Sequence, residues 1–194
     1  MFPLIAQAIP GEKEEEAKLR KKRADLQQAY LKLAKEPNEK NLKSYKELCE
    51  RTNSIDFDGD SEVTEATMPF LKKPNIIMAK AWVYSVGHCV DGASSLGLQM
   101  WLGNEVLMNG AAILISAIAS EKVVDKVYNL AEMENTEWLA VECEAKPCEL
   151  ERKKFFAAKR VALQKAKIKK SHEPIRQELL KNLKSDRMSV NFQD

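Results

Sequence analysis

Asn75-Ile76-Ile77-Met78-Ala79-Lys80-Ala81-Trp82-Val83-Tyr84-Ser85-Val86-Gly87-His88 is the stretch that decides the fold of this chain. Ile76, Ile77, Ala79, Ala81, Trp82, Val83 and Val86 are apolar nearly all round a helical period, which predicts a helix buried at the centre of the molecule. Gly87 and Gly92 mark its end. A second apolar stretch runs from Leu96 to Ala119 and is broken by Asn104-Glu105 and Asn109-Gly110. An amphipathic continuation follows through Val123, Val124, Val127, Tyr128 and Leu130. Residues 75–145 therefore read as an apolar helical core. A chain of 194 residues with 44% hydrophobic content can bury one such core and is short for two. Glycine and proline number seven each, and Ala, Leu, Lys and Glu dominate, so the expected class is all-α.

Toward the amino terminus, Glu12 to Lys35 is highly charged, with Leu19, Leu26, Tyr30 and Leu33 on one helical face. Pro37-Asn38 interrupts it, and Asn38 can cap a second helix whose stripe is Leu42, Tyr45, Leu48 and Cys49. Residues 12–53 are thus predicted to form an amphipathic αα-hairpin or coiled-coil arm. Residues 1–11 are an apolar terminal peptide. Its small-residue ending resembles a signal cleavage site, but it lacks a basic start and a long apolar run, so it reads as a docking peptide. Residues 54–74, acidic and holding Pro69 and Pro74, read as a long loop with at most one helical turn.

Toward the carboxy terminus, Glu137 to Cys143 reads as a short turn of helix or strand, and residues 143–148 as a connector. A long helix is expected from Glu149 to Lys170. Ser171-His172-Glu173-Pro174 restarts the chain in another helix carrying Ile175, Leu179 and Leu183. Gly110 to Ala119 is about half the roughly 20 residues a bilayer span requires, so it reads as a core helix whose small residues permit close packing. A membrane-inserting hairpin over residues 96–119 is the alternative, opposed by its internal polar groups.

Charge divides the chain. Lys146 to Arg187 holds 14 Lys/Arg against 5 Asp/Glu, while the remainder holds 17 against 24, so an acidic body ends in a basic arm spanning residues 149–187. Such asymmetry suits contact with an anionic partner or with another copy of the chain. Arg152, Lys153, Lys154, Phe155, Phe156, Lys159 and Arg160 are the candidate partner-binding residues, aromatic anchors giving burial and cations giving steering. Lysine outnumbers arginine there, so any nucleic-acid binding would be independent of base sequence and sensitive to salt.

Asp56-Phe57-Asp58-Gly59-Asp60-Ser61-Glu62-Val63-Thr64 resembles the first nine positions of an EF-hand calcium loop. Asp56, Asp58 and Asp60 supply the carboxylates. Ser61 stands where the loop turns on glycine, Thr67 where a bidentate glutamate belongs, and Pro69 in the exit helix. An acidic loop that caps helix ends is the preferred reading. Cys49, Cys89, Cys143 and Cys148 are too few for a disulfide scaffold and read as reduced thiols, although Cys143 and Cys148 could bridge a tight loop in an oxidising compartment. His88-Cys89 with Cys143 and Cys148 offers four zinc ligands, but the adjacent pair is an awkward chelate. The same adjacency argues against Cys89 and His88 as nucleophile and base.

No phosphate-binding glycine loop, nucleophile elbow or paired-histidine motif is present. The sequence therefore predicts a non-enzymatic helical structural or assembly protein without a cofactor. It is expected to join other protein subunits, as a homo-oligomer or in a larger complex, through its hairpin and basic helix. A sequence-independent nucleic-acid-binding protein is the runner-up, followed by a membrane-associated protein. The expected location is the cytoplasm or an assembled particle, with export open.

Overall fold

A computed structural model describes residues 12–52, 55, 60–90, 97–99, 101–121 and 146–183. Among the described residues every regular element is helical. The expectations placed on residues 1–11, on Asp56 and Asp58, on residues 122–145 and on the tail after Leu183 lie outside the described residues. The helices are α1 (Glu12–Lys35), α2 (Glu39–Cys49), α3 (Ser61–Lys72) and α4 (Ile76–His88), then α5 (Leu107–Glu121), α6 (Lys146–Lys165) and α7 (Glu173–Asn182). A π-helical turn, Leu102–Val106, leads into α5, and a 3-10 turn, Lys170–His172, leads into α7.

The central stretch behaves as its composition demands. Asn75 accepts from the amides of Ile77 and Met78 and starts α4, in which Met78, Ala79, Ala81, Trp82, Val83, Ser85 and Val86 are all buried. α4 packs on α5 and α2. The pairs Glu39–Lys80, Tyr45–Ser85 and Cys49–Cys89 rise together along both chains, so α2 and α4 run parallel. α1 and α2 pack together beyond the turn at residues 36–38, where Asn38 caps α2 through the amide of Asn41 at 2.9 Å.

Three expectations need correction. The loop expected over residues 54–74 contains the twelve-residue helix α3. Asp60 caps it, and Val63, Thr67 and Leu71, spaced four apart, bury one face. Pro69 is tolerated because it falls near the end, and the carbonyl it orphans belongs to Glu65 on the exposed side. Of the two breaks expected in the second apolar stretch, Asn104-Glu105 does not interrupt the helix, whereas Asn109-Gly110 does. Asn104-Glu105 is absorbed by the π turn, closed by the amide of Leu107 donating to Leu102 O. Asn109-Gly110 becomes a kink at Gly110, φ −161° and ψ 49°. Finally, the core is not confined to residues 75–145: one apolar cluster takes in Leu26, Tyr30, Leu42 and Tyr45 from the first two helices and Leu163, Ile175 and Leu179 from α6 and α7.

Helical continuity also lengthens the apolar segment. Gly97–Glu121 is 25 residues long and contains an 18-residue window of mean hydropathy 1.5, enough in length and composition to cross a membrane, and half of that window is buried within the protein. Leu114, Ile115, Ala117 and Ile118 supply the buried face.

The kink exists because two elements meet there. Asn109 Nδ2 donates to Leu71 O at 2.9 Å, satisfying the end of α3. Pro74 lies so close to Gly110 that an added Cβ would stand 2.9 Å from its Cβ and Cγ. Gly110→Ala should therefore destabilise the fold by about 1–3 kcal/mol in urea unfolding. Pro74→Gly, by removing both the Cβ and the Cγ from that space, should recover part of the loss in the double variant; strict additivity of the two would refute this contact.

Candidate functional site

The basic helix α6 folds back on the body, against α5 and α7. Its start is compatible with Pro147, a residue tolerated in a first helical turn. The candidate partner-binding residues on it have different fates. Lys159, expected to be a steering cation at an exposed interface, is fully buried, which corrects that assignment. Its Nζ donates to Asn104 Oδ1 in the π turn at 2.8 Å and lies 4.6 Å from the centre of the Phe155 ring. Arg160 is half-buried and donates through Nη2 to Leu183 O at 2.5 Å, holding the end of α7. Phe156 packs against the core, Phe155 is half-buried, and Lys154 is exposed. The side chains of Arg152 and Lys153 lie outside the described residues. Phe156, Lys159 and Arg160 thus serve the chain's own body.

Exposed positive charge lies further on, where α6 ends. Lys165, Lys167, Lys169 and Lys170 are exposed. None of the four has an ion pair among the described residues. The opposite end of the chain supplies the second exposed surface. Every residue from Glu14 to Asp25 in α1 is exposed, and burial begins only at Leu26. The arm projects about 20 Å at 1.5 Å per residue.

Of the three acidic calcium-ligand candidates only Asp60 is described, and it is committed elsewhere. One oxygen accepts from the amides of Glu62 and Val63 at 3.0 and 3.1 Å, and the other from Gln27 Nε2 at 2.7 Å. It fastens α3 to α1. Among the described residues no three His, Cys, Asp or Glu side chains gather as metal ligands would.

Cys89 is not the reduced core thiol that the sequence suggested. It is joined to Cys49 in a disulfide across a Cα separation of 5.1 Å. The parallel packing of α2 and α4 brings the two residues level, which their spacing in the sequence does not reveal. Cys89 is therefore unavailable as a zinc ligand or nucleophile. His88 faces a different setting, stacked on Tyr84 at 3.9 Å with the rings within 4° of parallel.

Around that stack lies a surface groove of about 420 Å³ between α2 and α4, lined by Glu39, Leu42, Lys43, Lys46, Glu47, Glu50 and Tyr84. Lys46 lies over the Tyr84 ring at 4.8 Å and pairs with Glu121. Tyr84 donates to Glu50 Oε1 at 2.5 Å. Burial and the adjacent carboxylate push its phenol well above the usual range, so it is a donor and not a base. Lys80 pairs with Glu39 at 2.8 Å. These groups engage one another and join α2, α4 and α5. The arrangement holds the helices together.

Beneath the groove is a buried chain of hydroxyls that sequence reasoning missed. Thr67 Oγ1 donates to Val63 O, so Tyr30 donates to Thr67 at 2.5 Å and accepts from Trp82 Nε1 at 2.9 Å. Ser85 Oγ donates to Ala81 O, so Tyr45 donates to Ser85 at 2.6 Å. Burial pushes the Tyr30 phenol up to about 12 and that of Tyr45 higher still, against weaker lowering by their hydroxyl partners. Comparison with protein-family models, curated proteins and solved structures finds no match for this chain.

Two outcomes follow from these placements. Lys159→Glu should cost about 3 kcal/mol or more by setting a carboxylate against Asn104 in the interior, whereas Lys154→Glu should change stability by less than about 0.5 kcal/mol. Equal effects in thermal or urea unfolding would contradict the burial of Lys159. The tyrosines set an alkaline limit. Their raised folded pKa values stabilise the fold fully below the ordinary phenol value near 10, and the contribution is lost as pH rises toward and past about 12. Ultraviolet titration should show Tyr30, Tyr45 and Tyr84 un-ionised at pH 10.5 and ionising only as the fold opens.

Proposed function

We propose that this chain is a non-enzymatic helical assembly protein that joins other protein subunits through exposed extensions of opposite character. One is the free half of the amino-terminal hairpin, α1. The other is the lysine-rich end of the basic helix α6. The observation that carries this reading is the unburied stretch Glu14–Asp25, which continues the stripe that α1 uses to pack at Leu26, Tyr30 and Leu33. A helix of this composition gains most of its stability from tertiary packing, and contact with another subunit would supply it. Phe156 and Lys159 serve to dock α6 on its own body, so the described cations of α6 and its exit left for a partner are the exposed ones, Lys154, Lys165, Lys167, Lys169 and Lys170.

The Cys49–Cys89 disulfide favours an oxidising location over a reducing cytoplasm. The burial of Leu114, Ile115, Ala117 and Ile118 favours a core role for α5 over membrane insertion. The exposed lysines keep a second reading open, sequence-independent binding of nucleic acid through phosphate contacts.

Light scattering coupled to size-exclusion chromatography, at low and high salt, tests the choice. Assembly predicts an oligomer free of nucleic acid at physiological salt, with peptides holding Cys49 and Cys89 recovered linked under non-reducing conditions. A monomer that carries nucleic acid at low salt and releases it at high salt would transfer the function to the lysine cluster.

A further inference from the structure

We infer that the free half of α1 is a self-complementary surface that pairs antiparallel with the same segment of a second copy of this chain. The inference rests on the assembly reading and specifies its contact. At 100° per residue, Glu15, Glu16, Leu19, Lys22 and Arg23 fall on one stripe about 120° wide. That stripe runs directly into Leu26, Tyr30 and Leu33, the residues by which α1 enters its own core. Leu19 is 41% exposed at its centre, one of the few large apolar side chains so exposed among the described residues.

The charges along the stripe change sign at Leu19. Glu15 and Glu16 precede it and Lys22 and Arg23 follow. A twofold axis through Leu19 sets Glu15 opposite Arg23 of the other copy and Glu16 opposite Lys22, and the same pairs recur on the other side of the axis. Leu19 then meets its own counterpart. Such a contact closes on itself, as an isologous dimer requires. Parallel pairing would place like charges together, so the sequence selects the antiparallel arrangement.

Ion pairing within the helix leaves most of this stripe free. Lys18 pairs with Glu14 at 2.7 Å and Arg20 with Glu16 at 2.6 Å, both exposed pairs four residues apart. Glu15, Lys22 and Arg23 have no ion pair among the described residues. Only Glu16 must exchange an exposed intrahelical partner for an intermolecular one, and such surface pairs are worth little in isolation.

The test is sedimentation of the full chain with two charge-reversed forms, E15K/E16K and K22E/R23E, helicity being checked by circular dichroism. Each form alone should self-associate at least about tenfold more weakly than the original, since four modest attractions become repulsions. An equimolar mixture of the two should associate again, as should the chain carrying all four changes. Leu19→Asn should weaken association without altering its salt dependence. An oligomer indifferent to all these substitutions would overturn the inference while leaving the assembly reading in place. A strictly monomeric original chain at every salt concentration would overturn both.

Discussion

Burying two tyrosines, Tyr30 and Tyr45, beside Trp82 requires that every hydroxyl and indole hydrogen find an acceptor in the dry interior. The chain from Trp82 through Tyr30 and Thr67 to Val63 O ties α4, α1 and α3 together. The chain from Tyr45 through Ser85 to Ala81 O ties α2 to α4. A buried donor left without an acceptor costs about 1–3 kcal/mol, so these helices can pack only in the register that completes both chains. Apolar burial supplies the driving force. The hydroxyls remove the alternatives, because a helix slid by one turn would keep its apolar face inward and strand its polar atoms.

The disulfide sits where this constraint has already done its work. Tyr45 and Ser85 fix the relative register of α2 and α4, and one turn later Cys49 and Cys89 stand level. The bridge closes a loop of sequence separation 40. In a chain-entropy account it narrows the unfolded ensemble by about 2–4 kcal/mol, a contribution confined to conditions that keep the thiols oxidised. The groove residues Lys46, Glu50, Tyr84 and Glu121 then clamp the outer edge of the same helix pair.

The sequence made its global statement through periodicity and composition, which is why α1, α2, α4 and the all-helical class were legible. What it could not express was pairing. Nothing in the spacing of Cys49 and Cys89 signals that two parallel helices bring them level, because that depends on the chain returning through α3 from the end of α2 to the start of α4. α3 itself was hidden by Pro69 and by an acidic approach that reads as a loop. Asp60 as a cap and the four-residue spacing of Val63, Thr67 and Leu71 outweigh the one hydrogen bond that proline removes. Asn104 looked like a break and is not one, and Gly110 is a break whose cause lies elsewhere in the fold, because propensity counts the local cost and not the neighbour. Lys159 and Pro74 are those neighbours.

The cations of the carboxy-terminal arm show the same limit in electrostatic form. Lys159, Arg160 and Lys165 are indistinguishable by composition, yet one is interior, one holds a carbonyl of Leu183, and one is exposed. Their difference is angular: the face of α6 that meets α5 must bury whatever it carries, and a lysine there needs polar partners such as Asn104, which the π turn aims at it. Positive charge that survives on the outside is therefore charge the fold did not need. The same logic separates the two halves of α1. Below Leu26 the stripe is consumed by the chain's own core, and above it Leu19 and the charges that flank it are left over. A helix that extends its packing face beyond its own body, with acid on one side of the midpoint and base on the other, presents a surface whose natural complement is itself turned end for end.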